Sequence, residues 1–331
     1  MAVVVLLAPK EDARGKTRTV EMLEEAEKHP DVELRFVDSN QPPEDVLKEC
    51  KDAVALIPAG GRGLLDAEFV SKLGNLRLIQ TFSAGTDWLD KAALAELGVA
   101  VSNNGGANAV AVAEHAVILM LSVERKIDRQ IESVKNGTWM AGVGGDRTEF
   151  HTLVGKRVGI VGLGRIGSRV AKRLQGWECE VVYNDVVDYD DQYVEAAGAR
   201  FVELDELLET SDIVSLHVPL ERTTRHMISD REFSLMKSTA ILVNTCRGPV
   251  VDEAALKRAL RDGQIFGAGL DVTEVEPIEP DNDLPNLPNV VVTPHLATRA
   301  LESEHNATAY ALANVARVAR GEDPEWVVPP V

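Results

Sequence analysis

Cysteine is scarce, with only Cys50, Cys179 and Cys246 in 331 residues. An odd, scattered set without metal-type spacing supplies neither a disulfide framework nor a zinc site, and it fits a reducing compartment. Basic residues are in deficit too, 35 Lys and Arg against 53 Asp and Glu for a net charge of −18. Nucleic-acid affinity comes largely from Lys and Arg neutralising phosphates, so a broad polyanion-binding surface is excluded. Any anionic ligand must find a locally positive site. Long apolar runs are also missing. The most apolar stretch, Ala107 to Val123, carries Glu114 and His115 in its middle and reads as a buried helix rather than a membrane span. No basic segment followed by a cleavable apolar one opens the chain, so a cytoplasmic protein that binds neither nucleic acid nor membrane is expected.

What is present is ordinary for a folded protein: 45% hydrophobic and 27% charged residues, which leaves no room for a large disordered fraction. The length suits two hydrophobic cores. Runs rich in Val, Ile and Leu alternate with helical patterns, the mark of βαβ units around parallel sheets. Strands are predicted at residues 3–7, 53–57, 76–80 and 99–101. After a helix near 107–127 and a Gly-rich stretch at 137–145, a second set follows at 157–161, 180–183, 213–216, 240–243, 268–271 and 290–293. A last helix is predicted near 298–320.

Gly162-Leu163-Gly164-Arg165-Ile166-Gly167 follows one of these strands directly and opens a helical pattern from Ser168 to Leu174. That context is what a dinucleotide fingerprint requires. Gly162 permits the tight turn, Gly164 lets the backbone approach a pyrophosphate, and Gly167 allows close helix packing. The phosphates would sit at the helix N-terminus, where open N–H groups and the dipole favour anions. Asp185 lies 18 residues after Gly167, at the end of the next strand. A carboxylate there accepts hydrogen bonds from ribose hydroxyls and repels a 2′-phosphate, which favours NAD over NADP.

The remaining motifs are Ser83 to Asp90, Asn103 to Asn108 with Ala111 to His115, His217 to Leu220 with Thr224 and Arg225, Asn244 to Gly248, Gly269 to Val272 through Glu276-Pro277, and Thr293 to His295. In this order the chain resembles, over almost its whole length, the D-isomer-specific 2-hydroxyacid dehydrogenase family, which also includes formate and phosphoglycerate dehydrogenases. The resemblance implies an α/β protein of two doubly wound parallel-sheet lobes. A Rossmann cofactor domain, 104–293, would be inserted into a discontinuous flavodoxin-like substrate domain, 1–103 and 294–331. It implies a homodimer through the cofactor lobe. The family often has Pro after the Asn103 strand; Gly105-Gly106 here predicts a looser loop.

The activity implied is hydride transfer between NAD(H) and the 2-carbon of a small D-2-hydroxy acid or its 2-oxo acid. Such chemistry needs a base for the hydroxyl proton, a cation for carboxylate and carbonyl oxygens, and a held nicotinamide. His295, which titrates in the right range as a free residue, is the candidate proton shuttle. Glu276 would pair with it, fix its orientation and stabilise its protonated form. Arg247 offers a planar, bidentate fork to a carboxylate. Without the motifs, these would read as a hydrogen-bonded linker histidine, a surface acid and a structural ion pair.

Beyond the fingerprint, including Arg165 and Ile166, the resemblance assigns cofactor contacts to Pro219, Thr224, Thr245, Cys246, Arg247, Asp271 and His295. Asp271 is the match to the position contacting the nicotinamide carboxamide, and Cys246 would lie beside the ring. Substrate contacts fall to the backbone of Ala84 and Gly85 together with Arg247 and His295. Arg62, in the Pro58 to Arg62 loop, meets a distal anion or is simply solvated; the sequence leaves both open. No metal is expected. A formate- or phosphite-type dehydrogenase is the nearest enzymatic alternative. A nucleotide-sensing corepressor of the C-terminal-binding type, which shares the Arg, Glu and His, is the non-enzymatic one; the acidic composition and the lack of a long tail after the last motif argue against it.

Overall fold

The computed structural model describes residues 1–10, 13–140 and 150–330, with 13–19 described by backbone only. Residues 141–145 of the Gly-rich stretch lie outside the described residues. The chain divides into two compact units, Met1–Asn108 with Ala300–Val331, and Ala109–Arg299.

The first unit holds strands β1 (Ala2–Ala8), β2 (Val32–Asp38), β3 (Ala55–Pro58), β4 (Leu78–Gln80) and β5 (Ala100–Ser102). They form a parallel sheet of order β2-β1-β3-β4-β5, the flavodoxin-like arrangement. Successive β1 side chains point to opposite faces. Val5 and Leu7 join one buried cluster with Leu56, Ile79 and Val101. Val4 and Leu6 join another with Ile57, Leu78, Leu312 and Val315. Both faces are therefore covered, which is why β1 reads as a continuous apolar run. The helices are α1 (Ala13–Ala26), α2 (Pro43–Cys50), α3 (Ala67–Ser71), α4 (Lys91–Glu96) and, from the chain's end, α12 (Leu301–Ala319).

The second unit has strands β6 (Arg157–Val161), β7 (Glu180–Asn184), β8 (Arg200–Phe201), β9 (Ile213–Leu216), β10 (Ile241–Asn244), β11 (Gly267–Leu270) and β12 (Val290–Val292). All pair in parallel, in the order β12-β11-β10-β9-β6-β7-β8. The order reverses between β6 and β9, the switch point at which open α/β sheets bind ligands. Helices α5 (Ala109–Arg125), α6 (Ile127–Lys135), α7 (Gly167–Leu174), α8 (Asp191–Ala197), α9 (Leu204–Thr210), α10 (Asp230–Leu235) and α11 (Glu253–Arg261) complete it. Val158, Ile160, Ile241 and Val243 pack on α5 and α7 residues such as Leu119 and Val170. Val214, Leu216 and Leu242 face the opposite cluster around Phe233.

Two findings differ from the sequence reading. Strands β2 and β8 were not predicted. The loop at Gly105-Gly106 is pinned, not loose. Both glycines adopt the left-handed region, φ 63° and 86°, which glycine enters without steric cost. Their N–H groups donate to Asn103 Oδ1 (3.0 Å) and Asn104 Oδ1 (3.1 Å). The Trp326 ring covers Gly105 so closely that a Cβ there would lie 2.7 Å from it.

Candidate active site

The fingerprint loop connects β6 to α7. Gly162, at φ 93°, leaves the strand beneath the end of β9, where a Cβ would lie 2.8 Å from the His217 carbonyl oxygen. A Cβ on Gly167 would collide with the Gly162 carbonyl oxygen. These two glycines are demanded by the fold. Gly164 is not: its φ is unexceptional, and a Cβ would find only Tyr189 Oη at 3.9 Å. The bare backbone at Gly164 leaves room for a ligand to approach, which is the fit a pyrophosphate needs. Arg165 is exposed and Ile166 is half-buried, packing on the core beneath α7.

Asp185 follows β7 and is half-buried. Its Oδ2 accepts from Leu163 N–H (2.7 Å) and Tyr189 Oη (3.2 Å), and its Oδ1 from Val187 N–H (2.9 Å). The carboxylate thus ties β7 to the glycine loop while keeping lone pairs for a ribose diol. Burial, reinforced by Asp185, pushes the Tyr189 phenol upward, so it stays a neutral donor. Tyr189 and Tyr193 stack, with ring centroids 4.7 Å apart.

Further strand ends supply the other candidates. Thr224 Oγ1 donates to the Pro219 carbonyl (2.6 Å) and accepts from Glu221 N–H (2.8 Å), closing the loop after β9. Thr245 is buried, and its hydroxyl finds no hydrogen-bond partner, an orphan that a bound polar group would satisfy. Burial pushes the Cys246 thiol up to about 11, so it is neutral; it donates to Asn244 Oδ1 (3.1 Å). Arg247 follows in extended backbone. Asn244 Nδ2 donates to its carbonyl (2.9 Å), and one guanidinium nitrogen donates to the Cys246 carbonyl (2.8 Å).

The His295 and Glu276 side chains meet: imidazole Nδ1 lies 2.7 Å from Glu276 Oε2. Both are exposed. Glu276 Oε1 accepts from Thr273 N–H (3.1 Å), which fixes the carboxylate. His295 takes a left-handed backbone, φ 54°, uncommon for a residue with a Cβ. Its N–H donates to the Asp271 carbonyl (2.8 Å).

Asp271, 1% exposed, has its carboxylate engaged by the protein. Oδ1 accepts from Thr293 Oγ1 (2.6 Å) and Leu296 N–H (3.0 Å), and Oδ2 accepts from Ala297 N–H (2.8 Å). It anchors the turn that carries His295, a role the sequence did not reveal. Thr293 Oγ1 also lies 2.9 Å from His115 Nε2 on α5.

In the first unit, the Ser83–Gly85 turn is held by Ser83 Oγ donating to the Gly85 carbonyl (2.7 Å) and by Asn104 N–H donating to the Ser83 carbonyl (3.1 Å). Ala84 is exposed. Arg62 is exposed and sits over the Trp88 ring, 5.1 Å from its centroid, a cation–π contact. Sequence reasoning gave no site role to His226, Gly248 or Glu274. Among the described residues no metal-type cluster occurs, and no helix is long and apolar enough to cross a membrane.

The family model for the NAD-binding domain of D-isomer-specific 2-hydroxyacid dehydrogenases matches residues 117–297. A glyoxylate reductase of Thermofilum pendens is 39% identical over 285 residues, covering 86% of this chain and 84% of that protein. A glyoxylate reductase of Korarchaeum cryptofilum is 36% identical over 310 residues, 92% of each. The crystal structure of a glyoxylate reductase from Paecilomyes thermophila aligns with a TM-score of 0.85 at 30% identity, over 99% of this chain and 98% of that one. The switch-point glycine loop, the acid at the end of β7 and these likenesses agree: the chain belongs to the D-isomer-specific 2-hydroxyacid dehydrogenase family and is an NAD-dependent oxidoreductase of 2-hydroxy and 2-oxo acids.

Proposed function

We propose that the protein reduces a small 2-oxo acid of the glyoxylate type, with His295 as acid and base, Glu276 as its partner and Arg247 as the substrate clamp. The observation that carries this reading is the 2.7 Å His295–Glu276 pair at the strand ends of the unit containing the fingerprint. When bound, NAD supplies the hydride donor or acceptor. Nδ1 faces Glu276, so Nε2 is the nitrogen that gives a proton to the carbonyl oxygen in reduction and takes it from the hydroxyl in oxidation. The carboxylate stabilises the imidazolium and fixes the ring. The Arg247 fork holds the substrate carboxylate and polarises the carbonyl. In the first unit, backbone N–H groups of Ala84 and Gly85 are proposed to bind carboxylate. Residues 109–299 serve as the cofactor domain and the rest as the substrate domain, with Gly162 to Gly167, Asp185, Pro219, Thr224, Thr245, Cys246 and Asp271 around the cofactor.

The test follows NADH oxidation with a panel of 2-oxo acids, for wild type and Arg247→Lys. Glyoxylate should be turned over, and the Lys variant should lose about 100-fold or more in kcat/KM because a point charge cannot reproduce the bidentate fork. NADH affinity by fluorescence titration should stay within about twofold. Turnover of formate or phosphite alone, in the oxidative direction, would overturn the substrate assignment.

We also propose a homodimer through the second unit. Exposed apolar side chains gather there on α6 and the segment after it: Ile131 at 50%, Val134 at 58%, Trp139 and Met140 at 70%. Patches of this kind mark interfaces. Sedimentation as a monomer at micromolar concentration would exclude it.

A further inference from the structure

Three segments meet at Glu274, two residues before Glu276. Gly248, next to Arg247, presses its backbone on the loop after β11, where a Cβ would collide with the carbonyl of Thr273 and lie 2.6 Å from Glu274 N. Glu274 and Glu253, the first residue of α11, clasp each other reciprocally. Glu253 N–H donates to Glu274 Oε2 and Glu274 N–H donates to Glu253 Oε2, both at 3.1 Å. The other oxygen of Glu274 lies 2.7 Å from His226 Nε2. His226 itself is held at φ 52°, with its N–H donating to the Pro249 carbonyl (2.8 Å). A strained backbone persists only where its surroundings over-determine it, and such positions gather at functional sites.

We propose that Glu274 is a positioning residue for the reaction: its clasp with Glu253 and His226 holds the 273–277 loop so that Glu276 stays on His295. The linkage is short. Glu274 N–H is fixed by Glu253, Thr273 N–H donates to Glu276 Oε1, and Glu276 Oε2 meets the imidazole. Glu276 and His295 are both exposed, so packing alone does not hold their pair. Two carboxylates as close as Glu274 and Glu253 repel, and the surrounding cations and donors offset this. Lys257 Nζ lies 3.0 Å from Glu253 Oε1, and Asn282 Nδ2 donates to the same oxygen at 2.7 Å. Asp283 is the further anion nearby, 3.9 Å from Lys257. Although burial pushes the Glu253 carboxyl up, Asn282, the Glu274 N–H and Lys257 together hold it below the usual carboxylate range. Glu253 can therefore act as an acceptor at neutral pH.

The inference rests on the proposed role of Glu276, and the experiment separates the two. The reductive kcat and kcat/KM profiles against pH are measured for wild type, Glu274→Ala, Glu276→Gln and the double variant, with NADH affinity from fluorescence as the folding control. Glu274→Ala should lose at least about tenfold in kcat, since small misplacements of catalytic groups are costly. Its falling limb should move to lower pH, toward that of Glu276→Gln, with NADH affinity within about twofold. Adding Glu274→Ala to Glu276→Gln should cost no more than about a further twofold, because one acts through the other. Glu274→Gln, which keeps length and an acceptor, should recover most of the rate. His226→Asn removes the ring partner while tolerating the left-handed backbone, and should show the same shift if Glu274→Ala does not fold. Additive losses, or a limb that stays with wild type, would overturn the positioning role. An unchanged Glu276→Gln profile would instead overturn the relay.

Discussion

Three glycines sit in one fingerprint, and the structure gives them two kinds of reason. Gly162 and Gly167 lack side chains because carbonyl oxygens occupy the space where a Cβ would go. Gly164 lacks one although its surroundings would accept it. Gly167→Ala should therefore destabilise the second unit, by about 1–3 kcal/mol as overpacking does, and lower its thermal midpoint. Gly164→Ala should keep the midpoint within about 2 °C yet weaken NADH binding about tenfold, some 1.4 kcal/mol. A Gly164→Ala protein that binds NADH as wild type does would remove the argument that this backbone is kept bare for a ligand. The spacing in sequence named all three positions but could not sort them, because the collisions depend on how the loop folds: the Gly162 carbonyl turns back onto Gly167, and the His217 carbonyl arrives from the end of β9. Similar limits applied to Asp271. Its motif implied a cofactor contact but gave no sign that three hydrogen bonds from Thr293, Leu296 and Ala297 also make it the anchor of the His295 turn. The pairing of His295 with Glu276 was legible only through the family's motifs, since 19 residues separate them in the chain.

Among the elements, buried strands were the legible ones. β1, β6, β9 and β10 are covered on both faces, so their apolar runs stand out from the helical periods around them. The two missed strands lie at sheet edges. β2 carries Glu33, Arg35 and Asp38, and Arg35 is committed to an ion pair with Asp52 at 2.8 Å. β8 is two exposed residues long. Edge strands are often short or charged, which suppresses pairing with other chains and also erases the periodic signal. The polar residues inside the α5 pattern have a comparable explanation. His115 reaches Thr293 and Glu114 pairs with Arg173 at 3.0 Å, so the helix carries its charges toward partners far away in sequence. At Gly105-Gly106 composition suggested slack, but the Trp326 ring that closes the turn arrives from the far end of the chain.

For the molecule as a whole, the charge of −18 makes the response to acid informative. Many acids serve the fold directly: Asp66, Asp90, Asp190 and Asp252 accept backbone N–H bonds as helix N-caps. Burial pushes the Asp212 carboxyl up, but the Arg157 N–H and Lys237 hold it below the usual range. Carboxyls so depressed contribute stability above the ordinary carboxylate range and lose it as pH falls through their folded values, below about pH 4.5. His217 acts earlier. Burial pushes its imidazole down to about 3, its Nδ1 has no partner, and its Nε2 lies 2.9 Å from Ser215 Oγ. The folded protein therefore stays neutral there while the unfolded chain takes a proton near pH 6.5. Each unit of pH below that favours unfolding by about 1.4 kcal/mol, down to the folded value. Protonation elsewhere relieves self-repulsion of the net charge, and because wild type and a His217→Gln variant share that effect, it cancels in their difference. The stability of wild type relative to His217→Gln, measured without cofactor by urea denaturation, should consequently fall by about 2 kcal/mol between pH 7.5 and pH 5. Parallel stability curves across that window would show that the folded protein accepts the proton on His217.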